Sequence, residues 1–304
     1  MRRLMPVEPK AGDLEGEGAA EHYDRVTESW QRYVMGDELH FGLFLSPTES
    51  LTQAARNLTE RLIVEAQLSP GLRVLDLGCG LGTQAVHLAE THRCHVTGVS
   101  TSEVGLSHAR ALAERSHARE QLVFAMADGA DTQLASGSFD RVWALESVHL
   151  MPNKSAVFSE CFRVLRPGGK LALCDVSLVG RLTSGQAEVE GYRMLGHSEA
   201  VALRMRDAVH RAMHRAFGSS ELSHFETYSR AAETAGFSEI AIEDISNQTR
   251  ATLEQWGRNA VAHWDALEGA MGRAYLDDLF LALLHMSFGW GRLGGYVVMT
   301  ARKK

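Results

Sequence analysis

The residues whose types and spacing come closest to prescribing chemistry lie in VLDLGCGLGT, residues 74–83. Glycines stand at 78, 80 and 82, with Asp76 two residues ahead of the first. A glycine loop between an apolar run and a helical stretch lets the chain turn sharply and lets a ligand approach the backbone without Cβ atoms in the way, as in a nucleotide-cofactor loop. The dinucleotide fingerprint G-x-G-x-x-G would need its third glycine at position 83, which is Thr83. It would also need an acid at the end of the next apolar run, where VTGVSTS has Ser100. A phosphate-cradling P-loop ends in G-K-S/T, and no lysine follows here. Hydride transfer on NAD or FAD and hydrolysis of ATP are disfavoured on these grounds. Asp76 suits instead a ligand with a cationic amino group, for which a pyrophosphate would have no use.

Such a loop works only at the end of a strand, and the flanking pattern supplies one. LRVLDLG reads as a strand and TQAVHLAETH as the helix after it. CHVTGVS, LVFAMAD, FDRVWAL and GGKLALCDVSL read as further strands, with SEVGLSHARALAERSH and SAVFSECFRVL as helices between them. Apolar runs alternating with helices predict a parallel sheet covered on both faces, an α/β, doubly wound, Rossmann-like architecture. Residues 20–70 carry apolar positions at helical spacing around a polar-aromatic loop, GDELHFGLFLSP, at 36–47. Past residue 180 the alternation stops: 181–232 read as helical, FSEIAIEDIS as a sixth strand, another helical block runs to about 289, and GGYVVMTARK closes as a seventh strand. With no crossover helix after it, that last strand is expected to pair antiparallel. The expected organisation is a disordered start at 1–18, a helical cap at 19–70, a core at 71–180, a helical lid insert at 181–232, and the end of the core with its own helical insert at 233–304. The helices would lie as a lid over the carboxyl edge of the sheet.

Composition narrows the function. A formal charge of −7 and a sequence pI of about 6.1 give no basic field for a polyanion, so no nucleic-acid partner is expected. No run approaches the ~18 apolar residues of a membrane span, and the first twenty residues lack an apolar core of signal-peptide length. A cytoplasmic protein without membrane association is expected. Cys79, Cys94, Cys161 and Cys174 form no CxxC pair, which points to reduced structural thiols. His210 and His214 stand four apart, but Arg211 replaces the glutamate of a HExxH site, so no residue is assigned as a metal ligand. Apolar stripes on the N-terminal and lid helices leave a homo-oligomer open.

The whole string VLDLGCGLG has the spacing of the loop that binds S-adenosylmethionine, and VFAMADGADTQLASGSFDRVWALESVHLMPN and VLRPGGKLAL carry the same likeness. With them the chain resembles the class I S-adenosylmethionine-dependent methyltransferases over about residues 15–304. HYDRVTESW, LHFGLF, VTGVSTS and WALESVHLMP are similar to the small-molecule branch that includes the rebeccamycin sugar O-methyltransferase, tocopherol C-methyltransferases, glycine and sarcosine N-methyltransferases and cyclopropane fatty acid synthases. The resemblance implies S-adenosylmethionine as cofactor, S-adenosylhomocysteine as product and a small-molecule acceptor. It makes 71–180 the cofactor-binding core, with Gly78 and Gly80 in the loop and Asp76 orienting it. It implies that Asp128 accepts the adenine amino group beside Gly129, and that Tyr23 and the loop at 40–42 close over the cofactor. Relatives often hold the ribose with a glutamine where this chain has Gly105, which leaves Ser100 and Thr101 for that role. Leu145 completes the cofactor set.

Methyl transfer from a sulfonium needs an in-line nucleophile, a dry pocket and, for a hydroxyl or carbon acceptor, a place for the proton. In the implied fold the end of the fourth strand faces the sulfonium, and there ALESVHLM offers Glu146 and His149. His149 suits a general base and matches a histidine that looks like one in the sugar O-methyltransferase; it also reads as a core histidine satisfied by backbone. Glu146 could bind the methionine end, cap the next helix or serve as the base in carbon methylation. Asp175, in LCDVSL, is aimed at the same edge, as a catalytic group or a structural acceptor. Acceptor contacts are expected from Tyr33, Phe41, Tyr192, His197, Arg204 and Trp290. A lid rich in aromatic and methionine residues suits a bulky apolar molecule. The leading expectation is O-methylation of a mid-sized, largely apolar secondary metabolite, a glycoside, polyketide or terpenoid, with His149 as base. The alternative is carbon methylation of an isoprenoid alkene or prenyl diphosphate, with or without cyclisation of the carbocation. There Arg204, Arg211 and Arg215, at helical spacing, would hold the diphosphate and Mg²⁺ would help. A second alternative is a non-methylating cyclase or binding protein on the same fold.

Overall fold

The apolar run ahead of the glycine loop forms an interior strand, third in a sheet of seven, and what surrounds it follows from that position. In this computed structural model, residues 19–36, 38–180, 189, 192–194, 196–218 and 222–304 are described. The start at 1–18, expected to be disordered, and part of the segment expected as a lid insert lie outside them. The strands are β1 Arg73–Leu77, β2 His95–Ser100, β3 Leu122–Met126, β4 Phe139–Leu145, β5 Leu165–Leu178, β6 Ser238–Asp244 and β7 Gly294–Arg302, in the spatial order 3-2-1-4-5-7-6. β1 to β5 run parallel, and β7 inserts antiparallel between β5 and β6, with Asp175 opposite Val297 and Glu243 opposite Val298. This is the doubly wound, Rossmann-like sheet with an antiparallel last strand that the sequence predicts.

Strand β1 has neighbours on both sides and helices on both faces, so Val74, Leu75 and Leu77 are fully buried. Its residues alternate between two cores. Val74 packs with Leu58, Leu88 and Trp143, whereas Leu75 and Leu77 pack with Val142, Phe158 and Tyr228. Asp76 therefore shares the face of Val74. The strand order reverses between β1 and β4, and at such a switch point the carboxyl ends diverge and leave a crevice for a ligand.

The helices are α1 Ala19–Trp30, continued by a π-helical turn Gln31–Met35, α2 Leu51–Ala66, α3 Thr83–His92, α4 Glu103–Glu114, α5 Lys154–Val164, α6 Glu199–Phe217, α7 Phe225–Ala235, α8 Ser246–Thr249, α9 Ala251–Ala262, α10 Trp264–Met271 and α11 Arg273–Gly289. None is long and apolar enough to cross a membrane among the described residues. Helix α6 packs along α11, and Arg215 grips Asp278 across them with two hydrogen bonds of 2.5 and 2.7 Å. Trp30 donates to the Tyr275 hydroxyl at 2.7 Å, which donates to the Ala216 carbonyl at 3.1 Å. Helices α1, α6 and α11 are thereby joined into one block.

Candidate active site

A cavity of about 470 Å³ opens at the carboxyl ends of β1, β2 and β4. Tyr23, Asp76, Gly78, Gly80, Ser100, Thr101, Asp128, Gly129 and Leu145 all line it. Gly78 has φ +82°, and a Cβ there would stand 2.4 Å from the Ser147 Cβ; Gly80 has φ +52°, with nothing within 4 Å of its Cβ position. The first glycine is thus required by a close approach within the protein, and the second leaves backbone open toward the cavity. Helix α3 starts directly behind the loop without a side-chain cap. Ser100 accepts from the Ser102 N–H at 3.1 Å, and the Ser102 hydroxyl accepts from Gly105 N–H at 2.8 Å while donating to Asp24 of α1. That link fastens α1 beside the cavity. Asp128 is exposed and orders its own turn by accepting from Ala130 N–H at 2.8 Å.

Asp76 is 3% exposed, and its Oδ2 has no hydrogen-bond partner among the described residues. Burial pushes its carboxyl up to about 7. A buried acid left short of a donor fits a ligand that brings a cationic group, because the ligand's charge would return the carboxylate to its ionised form. Around it the cavity offers backbone, the hydroxyls of Ser100 and Thr101, and Asp128. Such walls suit an amino acid joined to a nucleoside.

The register of β4 on β5 pairs Leu145 with Cys174 and so sets Glu146 beside Asp175 at the sheet edge. Glu146 has φ +52°, a left-handed conformation uncommon outside glycine, and its N–H donates to Cys174 carbonyl at 2.9 Å. Its Oε1 accepts from Phe41 N–H and from the Tyr296 hydroxyl, both at 2.6 Å, so it ties the loop at 38–43 and β7 to the strand end and does not cap the helix that follows. Burial raises its carboxyl above the usual range. His149 sits on the 3₁₀ turn Val148–Leu150, whose backbone Lys154 anchors by donating to the carbonyls of His149 and Met151. Its Nδ1 lies 2.5 Å from Asp175 Oδ1, and its own N–H donates to Asp175 Oδ2 at 2.8 Å. Asp175 is fully buried and also accepts from Val176 N–H and the Tyr228 hydroxyl.

His149 belongs to a second, smaller pocket of about 60 Å³ that shares Tyr23, Leu39 and Glu146 with the first. Its remaining walls are apolar or aromatic, among them Trp30, Met35, Phe41, Met213, Phe217, Trp256 and Met286. Of the expected acceptor contacts, Phe41 lines this pocket. Trp290 lies behind it, stacked parallel on the Phe41 ring at 4.8 Å and donating to Ser246 carbonyl and the Thr249 hydroxyl. Tyr33 is half-buried against His263, and Tyr33 and Tyr192 line neither cavity. His197 and Arg204 are exposed and also line neither. Arg211 is exposed as well. Sequence reasoning missed Tyr228 and Tyr296, whose hydroxyls steady Asp175 and Glu146. Nothing local marks them, since one is a helix residue and the other a strand residue brought in by the antiparallel insertion of β7.

Residues 75–173 match the family described as "Methyltransferase domain". Over 95% of this chain and 96% of the other, the sequence is 31% identical to the 27-O-demethylrifamycin SV methyltransferase of Amycolatopsis mediterranei (strain S699). It is 30% identical over 93% of both chains to the methyltransferase GfsG of Streptomyces halstedii. The chain belongs to the class I S-adenosylmethionine-dependent methyltransferases and, within them, to the small-molecule branch. It is an S-adenosylmethionine-dependent methyltransferase, with that sulfonium as its cofactor. Among solved structures it is similar to the [4+2]-cyclase SpnF, with a TM-score of 0.75 and 25% identity over 94% of this chain and 97% of that one.

Proposed function

We propose that the chain methylates a hydroxyl of a mid-sized, largely apolar secondary metabolite, with His149 as general base. The observation that carries this reading is the His149–Asp175 pair at the wall of an apolar pocket that adjoins the cofactor cavity. The Asp175 carboxylate takes the Nδ1–H and so selects the tautomer whose Nε2 lone pair is left for the acceptor's proton. Bound S-adenosylmethionine supplies a methyl group on a sulfonium, which needs no further activation. With that donor bound, its S–CH₃ bond would break as the acceptor oxygen bonds the methyl, leaving the thioether S-adenosylhomocysteine; His149 would hold the hydroxyl proton at Nε2, and Asp175 would balance the imidazolium. Glu146 and Tyr23 stand between the two cavities. Glu146 acts as a positioning group, since its Oε1 already holds Phe41 and Tyr296 in place. Trp30, Phe217 and Trp256 keep water from the reacting atoms.

A pocket of about 60 Å³ is well below the ~300–1,000 Å³ of small-molecule sites, so an acceptor of this size requires the lid side chains to give way. Met35, Met213 and Met286 are unbranched and repack at low cost. The relative that acts on 27-O-demethylrifamycin SV supports an oxygen acceptor on a natural product. Against a prenyl diphosphate acceptor, Arg204 and Arg211 are exposed on α6, and Arg215 is engaged by Asp278. The cyclase reading draws support from the likeness to SpnF. Incubation with S-adenosylmethionine and 27-O-demethylrifamycin SV, alongside hydroxylated polyketides and terpenoid alcohols, tests the proposal by mass spectrometry. The expected outcome is an acceptor heavier by one CH₂ with an equal amount of S-adenosylhomocysteine. Conversion of an acceptor with no cofactor consumed would replace the transferase reading with the cyclase.

A further inference from the structure

Away from both cavities, Glu60 of α2 and His87 and His92 of α3 bring one ligand atom each to within 4.8 Å of one another. We propose that these three side chains form a binding site for a divalent transition-metal ion, Zn²⁺ in the first instance, which clamps α2 to α3.

The geometry is already part of the way there. Glu60 Oε1 and His87 Nε2 are 3.3 Å apart, and bonds of about 2.0–2.1 Å to a tetrahedral zinc place neighbouring ligand atoms about 3.3 Å apart. His92 Nε2 is buried and has no hydrogen-bond partner among the described residues, a nitrogen withdrawn from water with none of them to replace it. The ring of His87 is oriented from its other side, where Nδ1 lies 3.3 Å from the Thr91 hydroxyl, the kind of outer contact that fixes the tautomer of a ligating histidine. His92 is the last residue of α3, so the ion would sit at the negative end of that helix. Two imidazoles and one carboxylate favour zinc or nickel over calcium or magnesium, and the half-exposed side chains of His87 and Glu60 leave the fourth position to water.

None of the three lines the cofactor cavity or the acceptor pocket, which makes the site structural. It lies beside a link that does reach the cavity: the Thr59 hydroxyl, one residue before Glu60, donates to Gln84 Oε1, and Gln84 donates to Glu38 Oε2 on the cavity wall. A metal on Glu60, His87 and His92 would hold α2 and α3 at the spacing this link needs.

The test uses the untagged full chain, stripped with a chelator and titrated with Zn²⁺ by calorimetry, with S-adenosylhomocysteine binding as the check that each variant is folded. The expected result is one Zn²⁺ per chain, affinity lower by at least about tenfold in His92→Ala and in Glu60→Gln, and a thermal midpoint raised by Zn²⁺ in the parent but not in those variants. S-adenosylhomocysteine should bind all three proteins alike. If His92→Ala loses its fold, His92→Gln and Glu60→Gln carry the comparison. Absence of Zn²⁺ binding, or binding that these substitutions leave intact and that His210→Ala or His214→Ala removes, would overturn the proposal.

Discussion

The cavity of about 470 Å³ and the pocket of about 60 Å³ share Tyr23, Leu39 and Glu146 but are assembled by different means. The larger one is built mainly on turns directly behind consecutive strands, at 78–80, 100–101, 128–129 and 145–146, and is closed on its other side by α1 and the loop at 38–40, which contribute Tyr23, Thr27 and His40. The smaller one draws one or two side chains each from α1, the π-helical turn, the loop at 38–43, β5, α6, α9 and α11. Backbone set by the sheet tolerates change elsewhere in the molecule. A wall assembled from rotatable side chains on seven elements is free to vary, and with it the acceptor. The first surface rests mostly on the sheet and the second mostly on the helices over it, with His149 in the wall of the second.

The sharpest way to separate the two is to replace His149, the proposed base. His149→Ala should lower kcat by about 10²–10⁴-fold on a hydroxyl acceptor while leaving the affinity for S-adenosylhomocysteine unchanged, measured by steady-state kinetics and calorimetry on the same preparation. A parallel loss of cofactor affinity would mean that His149 supports the fold of both cavities, and the division drawn above would fail.

That division also explains what was legible in the sequence. Apart from Tyr23 on α1, the residues expected to hold the cofactor fall in short contiguous strings whose positions follow from strand ends, and all of them line the larger cavity. His149 and Asp175 could be placed at the same edge, but their pairing depends on the β4–β5 register and on a 3₁₀ turn, which are decided by contacts between distant segments. The lid was readable as material and not as surface. Phe41 and Trp290 are both aromatic, yet one faces the acceptor pocket and the other lies behind it in a parallel stack. For the arginines the signal was present and unused. Ala202, Val209, Ala212 and Ala216 mark the buried face of α6, and Arg204 and Arg211 fall outside that stripe.

A smaller effect tests the cofactor side alone. Because burial holds the Asp76 carboxyl at about 7, the carboxylate fraction in the free protein grows through neutral pH. Affinity for S-adenosylmethionine, through its cationic amino group, should rise about fivefold between about pH 6 and pH 7, before the amino group, titrating at about 8, begins to lose its charge. The stability of the cofactor-free protein should move the other way. A carboxyl raised on folding keeps its proton longer in the folded state than in the unfolded one, so stability falls as pH climbs from the ordinary aspartate range toward 7. Asp76→Asn should flatten both slopes and leave the KM for the acceptor unchanged. If the KM of the acceptor rises with it, the two cavities are coupled through the β1 edge.

The smallest effect is expected one step behind the base. Tyr228 is fully buried and donates to Asp175 Oδ2 at 3.2 Å, and burial beside that carboxylate pushes its hydroxyl well above the ordinary range, so it remains a donor at any working pH. Asp175 takes three further hydrogens, from His149 N–H at 2.8 Å, from His149 Nδ1–H at 2.5 Å and from Val176 N–H at 2.9 Å. Tyr228→Phe therefore removes one of four donors and leaves the carboxylate satisfied. A stability loss of about 0.5–1.5 kcal/mol in chemical denaturation should accompany it. If the hydroxyl also fixes the angle at which Asp175 holds the imidazole, kcat should fall a few-fold with the acceptor KM and the S-adenosylhomocysteine affinity both unmoved. An unchanged kcat would confine Tyr228 to the packing of α7 on the sheet, and orientation of the base would then rest on Asp175 and the Lys154-anchored turn alone.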